Sequence, residues 1–548
     1  MGCAGLGSME KHIQELGAKA SPEPLVLRGG QVDLSVTGKF PPKYFPKKVV
    51  AEATPVLTWE GGEQAFKMEG FQGEAAAGNY TIIPFKAGAS FSYSDKIDYV
   101  PAMANSTLEL RIHGTKGSKS KDLTPLKIGT GVITTCLLVQ NDDQLIMSTD
   151  NFQRVHSHTK ETIINYDYNK SNVKRSELKD DDMVALEAFI QETLGNSRQD
   201  IKQITFMAYA SPEGEISLNE NLASERAGSG NKAIQKLVKK AGMIIETTDG
   251  FFVEEPKGED WSGFKKLMKA SSIEDQNLIL RVLEMETDKA KREKEIRNMA
   301  KTYREIENTI LPQLRRTVVT VKYDVTGYSD DELKSVSLAN PDVMDIEELL
   351  KAGTLHTDLN SKLSTYQAAA RLFPQDYRGI NNLGVVQYQM NMRNDAAVTF
   401  EKAYSTTNSA ETANNMGVIK RQDGNLDAAM DYFNQAGSSS EVNFNKALIS
   451  IAKGDYDSAI SGMGSNNSFN SALVMLLNGD ASGAASAMSA NGDDRAIADY
   501  LRGIIAVYTN NSADVLKFVG SAVSKDPSLG AIAKKDVEFR NYATQFNF

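Results

Sequence analysis

One arginine on a predicted helix marks the place in this sequence that is best suited to a charged ligand. The strand predicted at Ile201 to Tyr209 is followed by a tight loop and by a helix from Asn219 to Lys240. Backbone N–H groups at a helix start carry partial positive charge, and Arg226, two turns into this helix, offers a guanidinium that can bind a carboxylate through two hydrogen bonds. The arrangement is therefore suited to a carboxylate ligand, and an arginine that pairs structurally with Glu225 or Glu213 is the alternative.

Residues with the spacing of a catalytic or metal site do not stand out elsewhere. The histidines of the chain are His12, His113, His156, His158 and His356. His156 and His158 would share one face of a strand and could bind a metal, but a third ligand is missing, and a solvated linker is the alternative. The sequence contains no GxxxxGK[ST], GxSxG or HExxH motif. We therefore expect a protein without enzymatic activity, cofactor or metal.

The predicted arginine site lies in a module in which strands and helices alternate. The other predicted elements of this module are strands at Glu161 to Tyr166 and Thr317 to Tyr323 and an amphipathic helix from Asp180 to Thr193. A charged helical insertion, about residues 257–312, interrupts the module before its last strand. Its alternating charges are typical of a solvated helix face.

The region before this module has the pattern of antiparallel strands. Apolar and polar residues alternate in runs such as Val32 to Val36 and Leu108 to Ile112, with Gly, Pro and Asn turns between them. This pattern predicts an immunoglobulin-like β-sandwich over residues 24–145. Residues 1–23 are small and polar, and we expect them to form a tether.

The region after the module is helical and repetitive. After a predicted linker at 327–345, the motif Asn381-Asn382-Leu383-Gly384 recurs 33 residues later as Asn414-Asn415-Met416-Gly417. This shift is close to the tetratricopeptide period, so residues 346–548 are predicted to form a solenoid of such repeats, although helical hairpins of another type remain an alternative. The predicted packing residues are Gly384, Ala396, Phe400, Ala403, Gly417, Ala429, Phe433 and Ala436. Small residues would let paired helices approach, while the aromatic ring fills the gap to the next unit.

Composition limits the possible partners. The chain of 548 residues has a formal net charge of -10, with 41% hydrophobic and 24% charged residues, and its pI is near 5.3. An acidic protein does not offer the general positive field that nucleic acids require, so nucleic acid is not an expected partner. No run of about 20 apolar residues is present, so any membrane contact is expected to be through an anchor.

The central module resembles the OmpA-like peptidoglycan-binding domain over about residues 155–326. The family has Gly-His-Thr-Asp at the strand end, Gly three residues on, Asn eight on, Leu-Ser from eleven on and Arg-Ala from fifteen on. This chain matches that spacing throughout, and it matches by residue type at Gly214, Asn219, Leu222, Arg226 and Ala227. Inserted variants of the module occur in bacterial surface and fimbria-associated proteins and need not bind murein.

The resemblance implies binding of the peptidoglycan stem peptide. The implied binding residues are Ser211, Gly214, Asn219, Arg226 and, in the closing strand, Arg316. Ser211 stands where the family has an Asp that pairs with the ammonium group of the stem. A serine hydroxyl supplies no charge, so weaker affinity or a changed ligand is expected, unless Glu213 or Glu215 replaces the carboxylate.

The first residues, Met1-Gly2-Cys3-Ala4-Gly5, resemble the end of a bacterial lipobox. The resemblance implies that Cys3 is acylated, that the numbering belongs to a trimmed precursor, and that the protein is a lipoprotein anchored in the outer membrane of a Gram-negative bacterium, facing the periplasm.

Two functions remain open at this stage. In the first, an outer-membrane lipoprotein binds peptidoglycan through the OmpA-like module and holds a protein partner in the tetratricopeptide groove. In the second, the chain is purely a protein-interaction subunit of an outer-membrane export, β-barrel assembly or fimbrial complex. The expected fold is multidomain α+β in both cases: an Ig-like β-sandwich, an OmpA-like β/α sandwich with a helical insertion, and an all-α solenoid.

Overall fold

The computed structural model describes residues 5–243 and 250–548. The chain divides into two compact units, of which unit 1 comprises Met1–Thr149 and Thr357–Phe548, and unit 2 comprises Asp150–His356. Cys3, the predicted acylation site, lies outside the described residues. The fold is mixed, with a β-rich N-terminal region and a C-terminal helical stack.

The N-terminal part of unit 1 consists of two sheets around a shared apolar core. Its elements are α1 (Leu6–Lys11), β1 (Lys19–Ser21), β2 (Leu25–Arg28), β3 (Gln31–Phe40), β4 (Val50–Trp59), β5 (Gly62–Ala65), β6 (Glu69–Gly73), β7 (Thr81–Ile83), β8 (Ala89–Asp98), β9 (Thr107–Lys116), β10 (Lys119–Asp122), β11 (Leu126–Thr130) and β12 (Val132–Ile133). One sheet has the order β1-β3-β2-β12 with β8 beside β3, and the other has the order β10-β9-β4-β6-β7 with β11 beside β9 and β5 beside β4. Alternate residues of β3 and β9 enter the core, as the period-two pattern predicts.

The first residues of unit 1 differ from the predicted tether. Leu6 and Met9 of α1, followed by Ile13 and Leu16, are buried in the core of the two sheets. Strand β1 then pairs with β3. The prediction was wrong for the described residues up to 23 because these apolar side chains are spaced three to four apart, which is the spacing of a helix face that packs on a sheet.

Unit 2 contains one sheet with helices packed against it. Its strands are β13 (Val155–Asn165), β14 (Gln199–Ala210), β15 (Phe252–Glu259) and β16 (Arg316–Thr326), and its first helices are α2 (Asp181–Gly195) and α3 (Ile216–Lys240). The order is β13-β16-β14-β15, with β15 parallel to β14 and the other pairs antiparallel. The predicted helices and the strands β14 and β16 lie where the sequence pattern placed them. Strand β15 was not predicted, and its end overlaps the predicted start of the insertion at residue 257.

The insertion has its own small apolar core. Its helices are α4 (Trp261–Ala270), α5 (Gln276–Met285), α6 (Lys289–Arg297), α7 (Ala300–Thr309) and α8 (Leu311–Leu314). Phe264, Ile279, Ile306 and Leu314 are among the buried residues of this cluster. The charged residues of α6 are mostly exposed, as expected of a solvated face.

Unit 2 ends in a helical pair where the sequence predicted a linker. Helices α9 (Asp330–Ala339) and α10 (Ile346–Leu355) begin with capping boxes at Ser329 and Asp345. In a capping box the first side chain and the fourth bond each other's backbone N–H groups, which stabilises a helix start. The predicted linker at 327–345 is therefore wrong, and the boundary before the repeats moves from 346 to 357.

The C-terminal part of unit 1 is a stack of helical hairpins. Its helices are α11 (Leu359–Leu372), α12 (Tyr377–Gln389), α13 (Arg393–Thr406), α14 (Ala410–Gln422), α15 (Leu426–Ala436), α16 (Ser440–Ala452), α17 (Tyr456–Met463), α18 (Phe469–Leu477), α19 (Ala481–Ala490), α20 (Ala496–Tyr508), α21 (Ser512–Lys525) and α22 (Leu529–Lys535). The hairpins are of the tetratricopeptide type, and their helix pairs are α12–α13, α14–α15, α16–α17, α18–α19 and α20–α21.

Glycines and phenylalanines fix the distance between paired helices. A Cβ atom on Gly384 would lie 2.6 Å from the ring of Phe400, and one on Gly417 would lie 2.5 Å from the ring of Phe433. The neighbouring Ala396, Ala403, Ala429 and Ala436 are also buried. No helix in the described ranges is both long enough and apolar enough to cross a membrane.

Candidate functional site

Arg226, the predicted ligand anchor, is buried in unit 2 with 1% of its surface exposed. Its Nε donates to the carbonyl oxygen of Lys170 at 3.0 Å, Nη1 donates to that of Tyr209 at 2.9 Å, and Nη2 donates to that of Asp167 at 3.4 Å. The guanidinium carbon lies 5.1 Å from the centre of the Tyr166 ring. Burial lowers the pKa of Arg226 to about 10. The side chain holds loop backbone together instead of facing a ligand.

Ser211 and Glu213, on the loop after β14, are bonded within the module. The Ser211 hydroxyl donates to the Glu213 carboxylate, which accepts from Nε of Arg315 at 2.9 Å and pairs with its Nη2 at 2.8 Å. The side chains of Glu213 and Arg315 are 5% and 10% exposed. An ion pair this deeply buried is stable only when both partners remain in place. Glu213 is therefore not free to supply the carboxylate that the predicted ligand site would need.

Carboxylates near the insertion occupy the remaining polar groups of the predicted site. Nδ2 of Asn219 donates to Oε1 of Glu259 at 2.9 Å, and the backbone N–H of Gly214 donates to Oε1 of Glu293 on α6 at 2.7 Å. Burial raises the pKa of Glu293. Nη2 of Arg316 donates to Oδ2 of Asp260 at 2.7 Å.

The predicted site residues are thus close together, but each is engaged by the protein itself. We call this set the arginine network; it comprises Ser211, Glu213, Gly214, Asn219, Arg226, Glu259, Asp260, Glu293, Arg315 and Arg316. The sequence reasoning gave no site role to Arg315, Glu259, Asp260 and Glu293. Only the fold brings them to the loop, so no local motif could have indicated them. Within the described residues there is no cluster of three His, Cys, Asp or Glu side chains that could hold a metal.

A second polar site lies in the helical stack of unit 1. Residues 139–149, here called the connecting segment, have no regular secondary structure. They run along the first helices of successive hairpins, from α18 to α12. The groove that was predicted to hold a partner protein therefore contains part of this chain. The prediction of a partner protein in this groove is therefore corrected: residues of the chain itself lie there.

Buried asparagines bind the main chain of the connecting segment. Each accepts from the N–H and donates to the C=O of one residue, as a neighbouring β-strand would. Asn470 accepts from the N–H of Gln140 at 2.8 Å and donates to its C=O at 2.9 Å. Asn445 accepts from the N–H of Gln144 at 2.8 Å and donates to its C=O at 2.8 Å. We call these residues and their counterparts on α14 and α12 the asparagine ladder.

The ladder continues on the earlier hairpins. Asn415 accepts from the N–H of Ile146 at 2.9 Å and donates to its C=O at 2.8 Å. Asn382 accepts from the N–H of Ser148 at 2.7 Å and donates to its C=O at 2.9 Å. These ladder asparagines are completely buried.

Further asparagines support the ladder. Asn381 donates to the carbonyl oxygen of Ile146 at 3.0 Å and accepts from Asn415 at 2.9 Å. Asn414 donates to the carbonyl oxygen of Gln144 at 2.8 Å and accepts from Asn445 at 2.9 Å. The amide groups of neighbouring hairpins are therefore linked to each other as well as to the segment, which fixes their orientation.

The asparagines of the ladder recur in the sequence, but they were used only to find the repeat. The Asn-Asn pairs at 381–382 and 414–415 identified the repeat, but their side chains were given no role. An asparagine stands two residues before the small packing residue in four successive hairpins, at 382, 415, 445 and 470. Leu501 stands at this position in the last hairpin, α20–α21. Recurrent asparagines on a buried helix face indicate main-chain binding, since a buried amide needs partners.

Side chains of the connecting segment also contact the groove. Oδ2 of Asp143 accepts from Nη2 of Arg421 at 2.6 Å and from Nε2 of Gln422 at 3.0 Å, and Oδ1 accepts from Nε of Arg421. The side chains of Asp143 and Arg421 are 0% and 8% exposed. Leu145 and Met147 pack on the apolar cluster around Phe400.

Asp142, the residue before Asp143, lies where its negative charge is disfavoured. Burial raises the pKa of Asp142 to about 6, and the Asp143 carboxylate adds to the rise, while a hydrogen bond from Asn470 opposes it. The groove therefore holds the Asp143 carboxylate in an ion pair with Arg421. It disfavours the negative charge of Asp142, the residue before it.

Comparisons with solved structures concern the helical stack. The chain is similar to a tetratricopeptide repeat protein from Parabacteroides merdae, with 16% identity over 38% of this chain and 90% of that chain and a TM-score of 0.29. It is similar to YrrB, described as a TPR protein with an unusual peptide-binding site, with 20% identity over 38% and 100% of the two chains and a TM-score of 0.22. It is also similar to Pseudomonas aeruginosa PilF, with 15% identity over 39% and 99% and a TM-score of 0.27.

These TM-scores are low, so the description of the stack rests on the packing of its own hairpins. No protein-family model matches the chain, and no curated protein matches it in sequence.

Proposed function

We propose that this chain is a non-catalytic scaffold protein of an outer-membrane complex, in which the helical stack holds an extended strand by its main chain. The observation that carries the proposal is the asparagine ladder, whose buried amides bind both main-chain polar groups of four residues in the connecting segment, Gln140, Gln144, Ile146 and Ser148. A surface of this kind supplies binding and positioning without a reactive group, which suits a scaffold.

The ladder makes an empty groove unfavourable. A buried amide that loses its partner costs roughly 1–3 kcal/mol, and the ladder and its supporting asparagines place many such groups side by side. The connecting segment satisfies these groups and adds the apolar contacts of Leu145 and Met147. The strand and the hairpins therefore stabilise each other.

The scaffold is a composite of the two parts of unit 1. Besides the connecting segment, Arg28 at the end of β2 donates through Nε to the carbonyl oxygen of Gly454 at 2.7 Å. Thr135 donates to the Glu538 carboxylate at 2.5 Å, and both of these residues are buried. The sheets and the hairpins thus provide one continuous platform, on whose outer surfaces we propose that protein partners bind.

The proposal gives no role to binding of peptidoglycan. A stem peptide would have to compete with the carbonyl groups that hold Arg226 and with the Glu293 carboxylate that holds the Gly214 N–H. Each of those groups would lose a hydrogen bond on binding. The geometry therefore favours the protein-interaction alternative.

Acylation of Cys3 and attachment to the outer membrane, facing the periplasm, remain part of the proposal. Their support is the lipobox-like sequence around Cys3. Labelling of the protein, expressed from its native gene in cells, with a radioactive fatty acid tests this part. Label on the wild-type protein that disappears with Cys3→Ser is the expected result, and equal label on both proteins would contradict acylation at this residue.

Hydrogen exchange tests the central claim. The amides of Gln144, Ile146 and Ser148 are expected to exchange slowly in the full chain, although their segment has no regular secondary structure. The double variant Asn415→Ala with Asn445→Ala should lose this protection at Gln144 and Ile146, whose partners it removes, whereas Asn408→Ala, at an exposed asparagine, should keep it. Fast exchange in the wild-type chain would overturn the proposed role of the groove.

Sedimentation with purified murein sacculi tests the rejected alternative. The full chain is expected to remain in the supernatant under conditions in which a murein-binding control protein sediments. Sedimentation that free stem peptide reverses would contradict the proposal and restore the wall-binding function.

A further inference from the structure

The asparagine ladder alone does not determine which strand the groove binds. Its hydrogen bonds go to main-chain N–H and C=O groups, which every residue except proline presents in the same way. A strand that moved by two residues would offer the ladder the same groups again. Register and sequence preference must therefore come from contacts with side chains.

Arg421 and Gln422 at the end of α14 supply such a contact, and we call this pair the carboxylate site. Arg421 binds both oxygens of Asp143 from one side, and Gln422 adds a third hydrogen bond. Because the Asp143 side chain is completely buried and Arg421 is 8% exposed, a neutral residue here would leave the guanidinium without its counter-charge. Buried pairs of this kind discriminate strongly against strands that lack the charge.

Apolar contacts extend the pattern along the strand. Leu145 and Met147, two and four residues after Asp143, pack against the cluster that contains Val385, Phe400 and Met416. Residues two apart on an extended strand lie on the same face. The groove thus has an acidic position followed by two apolar positions on one face.

We propose that the groove is a receptor for an extended acidic strand that carries an aspartate at the carboxylate site and apolar residues two and four positions later, and that the connecting segment is an occupant which an unlinked strand of this chemistry can replace. The inference rests on the proposed function, in which the ladder binds a strand. It adds the sequence preference of the groove, that is, the kind of strand that the groove selects.

The connecting segment has the properties of a replaceable occupant. It is held by hydrogen bonds, one ion pair and apolar contacts, and it is not part of either sheet of unit 1. Asp142 is disfavoured as an ion in the groove, so a strand with a neutral residue there should bind better than the natural sequence. Covalent linkage gives the segment a high effective concentration, on the order of millimolar for a short linker, which compensates for this defect.

A labelled peptide with the sequence of residues 138–150 tests the inference on the full-length chain. Binding is measured by fluorescence anisotropy to the wild-type chain and to an Ile146→Pro variant, whose segment cannot donate to Asn415. We expect at least about tenfold tighter binding to the variant, because its own segment competes less. A second host, Asp143→Asn, keeps the experiment possible if the proline variant does not fold, as judged by circular dichroism.

Two altered peptides test the predicted pattern in the same host. The Asp143→Asn peptide should bind at least about 30-fold more weakly than the natural peptide, because the Arg421 charge stays buried without its partner. The Asp142→Asn peptide should bind more tightly than the natural one. In a host that also carries Arg421→Met, the natural peptide should bind no more tightly than the Asp143→Asn peptide, because its carboxylate would be buried without a counter-charge.

The outcomes that overturn the inference differ from those that overturn the proposed function. A folded host that binds no peptide, or that binds the natural and Asp143→Asn peptides equally while Arg421 is present, overturns the receptor. A host that forms dimers by ultracentrifugation and takes up no peptide shows that the occupant is the segment of a second copy, which also overturns it. In each case slow exchange of the Ile146 amide in the wild-type chain would leave the proposed function intact.

Discussion

The arginine network of unit 2 and the asparagine ladder of unit 1 solve the same physical problem in different ways. Each gathers polar side chains away from water, where every donor and acceptor needs a partner. The arginine network finds its partners among neighbouring loops, helices and the insertion, as the bonds of Arg226 to Lys170 and Tyr209 illustrate. The asparagine ladder finds them in a segment more than 230 residues away in the chain.

This difference indicates where a ligand could enter. Opening the arginine network would expose a charge that holds several loops in place, so its polar groups are part of the folding of unit 2. Opening the groove would remove one strand and leave the hairpins with their own glycine and phenylalanine packing. Residues typical of a binding motif therefore do not by themselves indicate a binding site, while a groove filled by the protein's own chain does indicate the chemistry of a ligand.

The largest effect is expected from Arg226→Ala, which tests whether the arginine network is structural. The substitution leaves a cavity and buried carbonyl groups without donors, which should lower the free energy of unfolding of unit 2 by about 4 kcal/mol. Trp59 and Trp261 are the two tryptophans of the chain, so urea unfolding followed by Trp261 fluorescence in a Trp59→Phe background reports on unit 2.

Arg304→Ala, at an exposed arginine of the same unit, is the matched control and should change stability little. A loss below about 1 kcal/mol for Arg226→Ala would mean that the guanidinium contributes little to the fold. The comparison between the two regions would then fail.

Arg421→Met comes next and tests the charged contact in the groove. The carboxylate of Asp143 would remain buried without its counter-charge, so the helical stack should lose about 3 kcal/mol, measured by urea unfolding with far-UV circular dichroism. Arg393→Met removes an ion pair whose side chains are 42% and 51% exposed and should cost less than about 0.5 kcal/mol. Equal effects of the two substitutions would show that the Asp143 contact is no stronger than a surface pair.

Asn415→Ala tests one step of the asparagine ladder. Removing its amide leaves the N–H and C=O of Ile146 without this partner, and the expected loss of stability is about 2 kcal/mol. The amide of Ile146 should exchange faster than that of Gln140, which lies at the other end of the ladder. Uniform exchange along the segment would indicate that the ladder opens only as a whole.

The smallest effect is expected from Asp142→Asn, which depends on pH. The pKa of Asp142 in the folded chain, about 6, lies above its ordinary value of 3.8. Its contribution to stability is therefore fully present below pH 3.8 and is lost as the pH rises through 6. Asp142→Asn should stabilise the chain by about 1 kcal/mol at pH 7.5 and by almost nothing at pH 4. A pH-independent difference in the melting temperature would contradict this assignment.

Local pattern was enough to predict much of the fold. Helical periodicity placed α2 and α3, and repeat arithmetic placed the hairpins in which Gly384 meets Phe400. Strand β15 was missed because its sequence, Phe252–Glu259, contains a proline, a glycine and charged residues. It is a strand because β14 offers it a parallel partner, and such pairing is not visible in a local window.

The candidate sites were harder to predict, because both depend on distant contacts. The sequence singled out Arg226 as a ligand anchor, whereas its guanidinium binds Lys170 and Asp167, which come from a loop that precedes the motif. The predicted β-sandwich extended to residue 145, whereas residues 139–149 have no regular secondary structure because their hydrogen bonds go to side chains. The recurrent asparagines were the available sign, and their burial could have been expected from their place on the helix face.

The wide separation between the strand and its groove affects how the protein is made. Gln140 precedes Asn470 by 330 residues, so synthesis from the N-terminus completes the strand long before the helices that cover it emerge. Contacts between such distant residues form slowly and late, and unpaired strands exposed in the meantime are prone to aggregation. Unit 1 should therefore reach its native state only after the whole chain has left the ribosome, and nascent chains that lack the last hairpins should depend on chaperones.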